Sequence, residues 1–423
     1  MPSNCQYSKT LVFSIILTSL LLIIRDIFGV DINQYIIFLI MSCCFMLLQK
    51  KDVHSYMAFT AGIIYGVNAY ILLVGICVIL LKDFERISRS LAFVLYFILL
   101  ITWEIFNCYF QYTSPQISVI LLYAANLLVF FYYFFAPNSK SFNRETLFFY
   151  SIGLGITLFI ISVGILQNPL ELVFDSTSDV RASMGFSEDQ TETHFYANAN
   201  NLAYLSIVLL AIVLSLRKQI FQSNSLFYIL LILSLLAGVL SSSRTWTLLC
   251  VILFVVLFIT TNFKSKLRAI LISTVFVAIL LYLFPTFINV AFDGIRMRFE
   301  QGNFDTAGNR TLLFKEYSEF MSLHSEYILT GTGAIYYKDI AQCSNSCHNA
   351  FQQIYVAYGV LGCVFFVSAF FMSIHKRASS CSFMNYVPFI FAIFFIQSIQ
   401  FLNPFYLMLP VALTSVAYKM SIE

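Results

Sequence analysis

Long apolar stretches separated by short polar ones run through nearly the whole chain. About 20 apolar residues in a helix cross a bilayer, and stretches of that kind lie near 11–30, 32–48, 57–81, 91–110, 116–136, 147–166, 202–216, 225–241, 246–262, 268–287, 350–373, 384–401 and 404–418. The pattern predicts an all-α, polytopic transmembrane helix bundle of about 12–13 spans, read as a single membrane domain over 1–423. Two longer polar segments interrupt it, a first loop at 167–201 and a large loop at 288–347. No fixed-period repeat and no Pro/Gly/Ser-rich linker divides the chain, and no cleavable signal pattern stands apart from the first span, which is therefore expected to be retained.

Short loops rich in lysine and arginine stay cytoplasmic. Lys82/Arg86/Arg89, Lys140/Arg144, Arg217/Lys218, Lys264/Lys266/Arg268 and Lys376/Arg377 can share that side, which turns both long loops outward. Lys50-Lys51 disagrees: with 57–81 as one span, it falls on the opposite side from Lys82.

Composition excludes a water-soluble surface, with 60% hydrophobic and 17% aromatic residues against 11% charged. The net charge of +3 is small and spread as a membrane topology requires, so the lipid bilayer is the expected partner and nucleic acid is not. Of the ten cysteines, most fall inside predicted spans, where a thiol acts as a small hydrophobe. Cys343 and Cys347 share the large outward loop and can pair if that side is oxidising. Zinc would need more ligands than His348 supplies, so no metal and no cofactor is expected.

Polar residues of chemical interest gather in the outward segments. In the large loop, Leu313, Tyr317, Phe320, Met321 and Ile328 recur at helical spacing and predict an amphipathic helix over Leu312 to Ile328, lying against the membrane domain. Asn309 stands where an N-cap belongs, which puts Arg310 in the first turn. A cation there opposes the helix dipole by about 0.3–1 kcal/mol, a mismatch that a bound anion relieves. The arrangement recurs at Ser243-Arg244 and, more loosely, at Ser346-Cys347-His348. Helix-start amides beside arginine suit phosphate groups, so an anionic, diphosphate-type ligand is expected at the outer surface. Taken singly, Arg244 reads equally as a headgroup anchor, Arg181 as the partner of a neighbouring carboxylate, and His348 as an interfacial histidine. Glu104, beside Trp103 in the fourth span, is an acid inside a predicted helix and so a functional candidate. Its place toward the outward end would also let it reach the interface.

Ser241-Ser242-Ser243-Arg244, Gly308-Asn309-Arg310, Gly331-Thr332-Gly333 and the run from His348-Asn349 to Gly359-Val360-Leu361-Gly362 together resemble the O-antigen polymerases and O-antigen ligases. Arg181 with Gly185, and Asn200 with Leu202-Ala203, resemble a looser motif of that family. Ala199 stands where the family usually has proline, the spacer from Gly185 is long, and the first six spans carry no matching motif.

The resemblance implies a membrane glycosyltransferase of the bacterial inner (cytoplasmic) membrane with its site facing the periplasm. Its donor would be an undecaprenyl-diphosphate-linked glycan and its acceptor lipid-linked, with a chain-length regulator as a candidate protein partner. Arg244 and Arg310 would neutralise the departing diphosphate, and His348 would take or orient the acceptor hydroxyl proton. Arg181, Asn200, Asn349 and Ser243 would bind substrate. The chain has no Asp-x-Asp, so transfer is expected to be metal-independent. The His-Asn segment lacks a His-x-His-Asn-Glu form, which favours polymerisation of repeat units into O-antigen or capsule-like chains over ligation of finished chains to lipid A-core. A polysaccharide transporter or flippase is the reading from another class; such sites tend to lie at the midplane on broken helices, often in repeated halves.

Overall fold

The computed structural model describes residues 7–68, 70–85, 91–112, 114–135, 140–167, 199–220, 224–241, 243, 246–251, 310–343, 346–347 and 349–375, with isolated positions between 255 and 282. The spans expected at 268–287, 384–401 and 404–418 and most of 246–262 lie outside the described residues.

Every regular element among the described residues is helical. In chain order they are α1 (Lys9–Asp26), α2 (Gln34–Leu47), α3 (Lys50–Gly62), a 3-10 turn (Ile64–Gly66), α4 (Ile71–Lys82), α5 (Leu91–Gln111), α6 (Ile117–Phe135) and α7 (Lys140–Gln167). They continue as α8 (Ala199–Ile220), α9 (Asn224–Leu240), α10 (Arg310–Leu323), a 3-10 turn (Ser325–Tyr327), α11 (Tyr337–Ile340) and α12 (Ala350–His375). The first helices begin at side-chain caps. Ser8 Oγ accepts from the Leu11 N–H at 3.1 Å, and Asn33 Oδ1 accepts from the Tyr35 N–H at 2.9 Å.

Among the described residues, two helices are long and apolar enough to cross a membrane, over Val94–Gln111 and Glu145–Ile165. Shorter apolar helices lie at Gln34–Leu47, Ile71–Lys82, Ile117–Leu128, Leu202–Leu214, Ser225–Leu240 and Phe351–Phe366. The all-α expectation therefore agrees with the structure, while full spanning length is met by two of the described helices.

The span expected at 57–81 is two antiparallel helices, α3 and α4, joined around the 3-10 turn. Side chains meet the carbonyls that the helix ends leave open: Thr157 Oγ1 donates to the Gly62 carbonyl at 2.8 Å and Arg25 Nη2 to the Gly66 carbonyl at 2.7 Å. Asn68 Oδ1 accepts from the Tyr70 N–H at 3.0 Å and closes the turn.

This split corrects the placement of Lys50-Lys51. Lys50 Nζ lies 2.9 Å from Asp83 Oδ1, and Lys82 Nζ donates at 2.6 Å to the carbonyls of both Met46 and Leu48 at the end of α2. Lys50 and Lys82 are therefore at the same end of the bundle, because two helices rather than one run between them. His54 joins them, with Nε2 3.0 Å from Asp83 Oδ2 and Nδ1 bonded to the Tyr132 hydroxyl near the end of α6. Since Arg25 reaches the α3–α4 turn at the opposite end, α1 starts at the lysine end too.

The core is apolar, with Leu11, Leu22, Phe45, Tyr56, Phe59, Leu158 and Leu209 fully buried. Polar stitching runs through it. Ser206 Oγ donates to the Ser234 carbonyl at 2.6 Å and Ser234 Oγ to the Ser206 carbonyl at 2.8 Å, tying α8 to α9. α12 runs antiparallel to α5: Tyr358 meets Tyr123 near the start of α6, and Phe365 packs on Tyr96 near the start of α5.

Candidate functional site

The Gly-x-Gly segment that follows the loop helix is built into a break in α12. At Gly359 the backbone leaves helical geometry, with φ 63° and ψ −160°, a combination essentially restricted to glycine. The break costs the helix two bonds, from the N–H groups of Val360 and Leu361 to the carbonyls of Val356 and Ala357. All four groups find partners in the segment 328–333, which lies antiparallel beside the break. Val360 N–H donates to the Ile328 carbonyl at 2.9 Å and Leu361 N–H to the Leu329 carbonyl at 3.1 Å. In return Thr332 N–H donates to the Val356 carbonyl at 2.9 Å and Gly333 N–H to the Ala357 carbonyl at 2.8 Å. Non-helical backbone at membrane depth persists only where protein satisfies it, and this exchange does so. The two backbones approach so closely that a Cβ at Gly331 would run into the backbone of Ala357 and Tyr358, and one at Gly359 into Leu329 and Thr330.

The far side of the same loop rests on Glu104. This residue is fully buried, and its Oε1 accepts from the Ala334 N–H at 2.6 Å while Oε2 faces the Ile335 N–H at 3.4 Å. The expectation that Glu104 could escape to the interface is thereby corrected: two loop amides hold the carboxyl inside. Tyr123 hydrogen-bonds to Glu104, and its hydroxyl also meets that of Tyr358. The loop then crosses the end of α5, where Tyr336 stacks on Tyr112 and its hydroxyl accepts from the Gln116 N–H at 2.8 Å.

The loop helix α10 ends at Leu323, short of the expected Ile328, and passes into the 3-10 turn at Ser325–Tyr327. Leu313, Tyr317, Phe320 and Met321 are buried with Tyr337, Cys347 and Val356 in a small satellite core, whereas Ile328 is exposed. Gln352 Nε2 donates to the Phe314 carbonyl at 2.9 Å, fixing α10 on α12. Cys343 and Cys347 are free thiols here. Burial pushes both thiols above their ordinary range, helped at Cys347 by its neighbour Cys343 and at Cys343 by Glu316, while a hydrogen bond with the Tyr317 hydroxyl opposes the shift at each.

Of the residues expected to form the site, two have described side chains. Ser243 is buried and caps the helix that follows: its Oγ lies 3.4 Å from the Trp246 N–H and its carbonyl accepts from the Thr247 N–H at 3.0 Å. Trp246 Nε1 in turn donates to Ser206 Oγ at 2.8 Å, docking this helix start on α8. Asn349 caps α12, its Oδ1 accepting from the N–H groups of Phe351 at 3.0 Å and Gln352 at 3.1 Å. Arg310 is the first residue of α10 and Asn200 lies in the first turn of α8, both described as backbone alone. Arg181, Arg244 and His348 lie outside the described residues, as does Asn309. Among the described residues, the structure brings together Glu104, the Gly331–Ile335 loop and the first half of α12. Glu104 carried one signal in the sequence, an acid within an apolar run, but nothing there indicated its partners 230 residues away.

Among the described residues no group of three or more His, Cys, Asp or Glu side chains is placed to hold a metal ion. What the arrangement offers is two side-chain-capped helix starts, at Ser243 and Asn349, whose amides are positive in character, and a loop clamped beside one of them. No curated protein matches the chain. Residues 229–367 match the family model described as O-antigen ligase, a segment that contains the serine turn, the loop helix, the Gly-x-Gly loop and the break at Gly359 in α12. The matched segment is 139 of the 423 residues, and over it the chain is similar to the O-antigen ligase family.

Proposed function

We infer that the protein joins undecaprenyl-diphosphate-linked oligosaccharide repeat units into an O-antigen or capsule-like polysaccharide at the outer face of the bacterial inner membrane. The observation that carries this reading is the match over 229–367 to a glycan-transferring family, with a capped helix start on each side of the loop helix. Arg244 immediately follows the Ser243 cap in the sequence and Arg310 is the first residue of its helix, and both are assigned to neutralise one anionic headgroup. The leaving diphosphate then needs no proton, because cations neutralise the charge that develops as the anomeric bond breaks. His348, adjoining the cap of α12, receives the proton of the acceptor hydroxyl as the new glycosidic bond forms. The common placement of Lys50 and Lys82 supports a single lysine-rich cytoplasmic end, which leaves the glycine-rich loop facing the periplasm.

Ligation to lipid A-core is the second reading, favoured by the description of the matching family as O-antigen ligase. Gene deletion separates the two. Loss of a polymerase leaves single repeats on the surface lipid, and loss of a ligase strands long chains on undecaprenyl diphosphate. Purified protein supplied with lipid-linked oligosaccharide should lengthen it. Arg244→Ala or Arg310→Ala should each abolish product without lowering protein in the membrane, and Arg244→Lys should recover part of it, lacking the planar fork. Full activity in both alanine variants would end the diphosphate reading, and vesicle transport without new bonds would favour a transporter.

A further inference from the structure

A buried acid that the mechanism does not use connects to the segment before His348 through a short series of contacts. Glu104 holds the amides of Ala334 and Ile335. Two residues on, the Tyr337 hydroxyl accepts from the Cys347 N–H at 3.1 Å, and Cys347 is fully buried against the satellite core. Cys347 immediately precedes His348, and Asn349 caps α12 directly after it. The same loop supplies the four hydrogen bonds that sustain the break in α12. Thus the peptide before His348 and the helix after it are both fastened to one loop, and that loop is fastened to Glu104. Glu104 stands in Val94–Gln111, one of two helices among the described residues long and apolar enough to cross a membrane, and its described partners are these two amides and the Tyr123 hydroxyl.

We propose that Glu104 is a positioning residue for glycosyl transfer, setting the placement of His348 through the Gly331–Ile335 loop and Tyr337; this rests on the reading of His348 as the proton acceptor. The carboxyl is the right group because both of its oxygens accept, and the loop presents two N–H donors side by side. A glutamine in its place offers one oxygen and turns an NH2 group toward the second amide, where donor faces donor. Space beside it is tight, since a Cβ at Gly333 would stand 3.2 Å from Glu104 Oε2 and 2.9 Å from Asn107 Cβ. The loop therefore has little room to shift and re-form the bond elsewhere.

The test uses the full-length purified protein in detergent or nanodiscs, with a lipid-linked oligosaccharide as donor. Glu104→Gln should lower kcat about tenfold to a hundredfold, as expected for a misplaced proton acceptor, with KM for the donor lipid changed less than about twofold. Glu104→Asp, which keeps two acceptor oxygens, should recover part of kcat. Deuterium uptake over 328–337 should rise in Glu104→Gln relative to wild type. Wild-type kcat in Glu104→Gln overturns the proposal, as does a loss that merely follows the folded fraction with kcat per folded molecule unchanged. Should Glu104→Gln fail to fold, Tyr123→Phe, which removes the third partner of the carboxyl, should raise exchange over 328–337 and lower kcat by a smaller factor. Wild-type exchange and kcat in that variant would likewise overturn it. If wild-type protein yields no product at all, the reading of the reaction fails instead, and the exchange measurement still reports whether Glu104 holds the loop.

Discussion

Asp83 and Glu104 are both buried carboxyls, at opposite ends of the bundle, and they are satisfied in opposite ways. Asp83 sits at the lysine end and takes Lys50 and His54 as partners at 2.9 and 3.0 Å. Burial pushes its pKa up, but hydrogen bonds from Lys50 and His54 outweigh that and hold it below the ordinary carboxylate value. Glu104 lies within an apolar span, and its described partners are peptide N–H groups and a tyrosine hydroxyl. Where water and lysines reach, charge is met by charge. Deeper in, irregular backbone is itself the group that needs a partner, and an acid side chain provides one. Around Asp83 the lysine end is thus a latch between side chains, while the opposite end is a splice made of backbone.

The sharpest way to break the comparison is at the splice. Gly359→Ala places a Cβ against the backbone of Leu329 and Thr330 at a positive φ, which should cost about 3 kcal/mol or more. Thermal unfolding in detergent should show a large drop; an unchanged melting temperature would mean that the break in α12 is absent in solution. Asp83→Asn removes the charge and replaces one of the two oxygens that accept from Lys50 and His54 with an NH2 group, and should cost about 1–3 kcal/mol at neutral pH. Its pH dependence sharpens the contrast. Because the folded pKa of Asp83 is depressed, its contribution is fully present above the unfolded value of about 4 and is lost as pH falls through the folded value. Wild type should therefore lose stability over the acid side of pH 4 while Asp83→Asn loses less there; parallel acid profiles would contradict the latch. The smallest effect belongs to Lys50→Ala. With its side chain 56% exposed, this pair should contribute about 0.2–1 kcal/mol and fade as salt is added. A salt-insensitive loss larger than that would put Lys50 in a drier setting than the structure gives it.

Much of the architecture was legible because it follows from local periodicity. The apolar runs gave α2 and α5 to α9 nearly where they stand, and helical spacing placed Leu313, Tyr317, Phe320 and Met321 on the buried face of α10. One cap was readable too: Ser243 belongs to a residue type whose short side chain reaches a helix-start amide. The single span drawn at 57–81 went wrong because an apolar turn around Ile63 and Ile64 leaves no composition gap between α3 and α4. Its carbonyls are capped by Thr157 and Arg25, distant residues that no local window contains. Asn349 shows the same limit at the site: its type suggested a polar contact, but only the folded chain shows its oxygen committed to two amides of its own helix.

The amino-acid sequence alone determined the class of this protein, since the hydrophobic effect and the need to satisfy backbone groups act on composition and spacing and leave an apolar, all-helical chain. It also determined the order of the polar motifs. Only the tertiary structure decided that Lys50 and Lys82 share an end, that α12 is broken and repaired by residues 328–333, and that Glu104 grips the loop leading toward His348. Those outcomes depend on hydrogen bonds between groups far apart in the chain, and such bonds form once packing has brought the helices together.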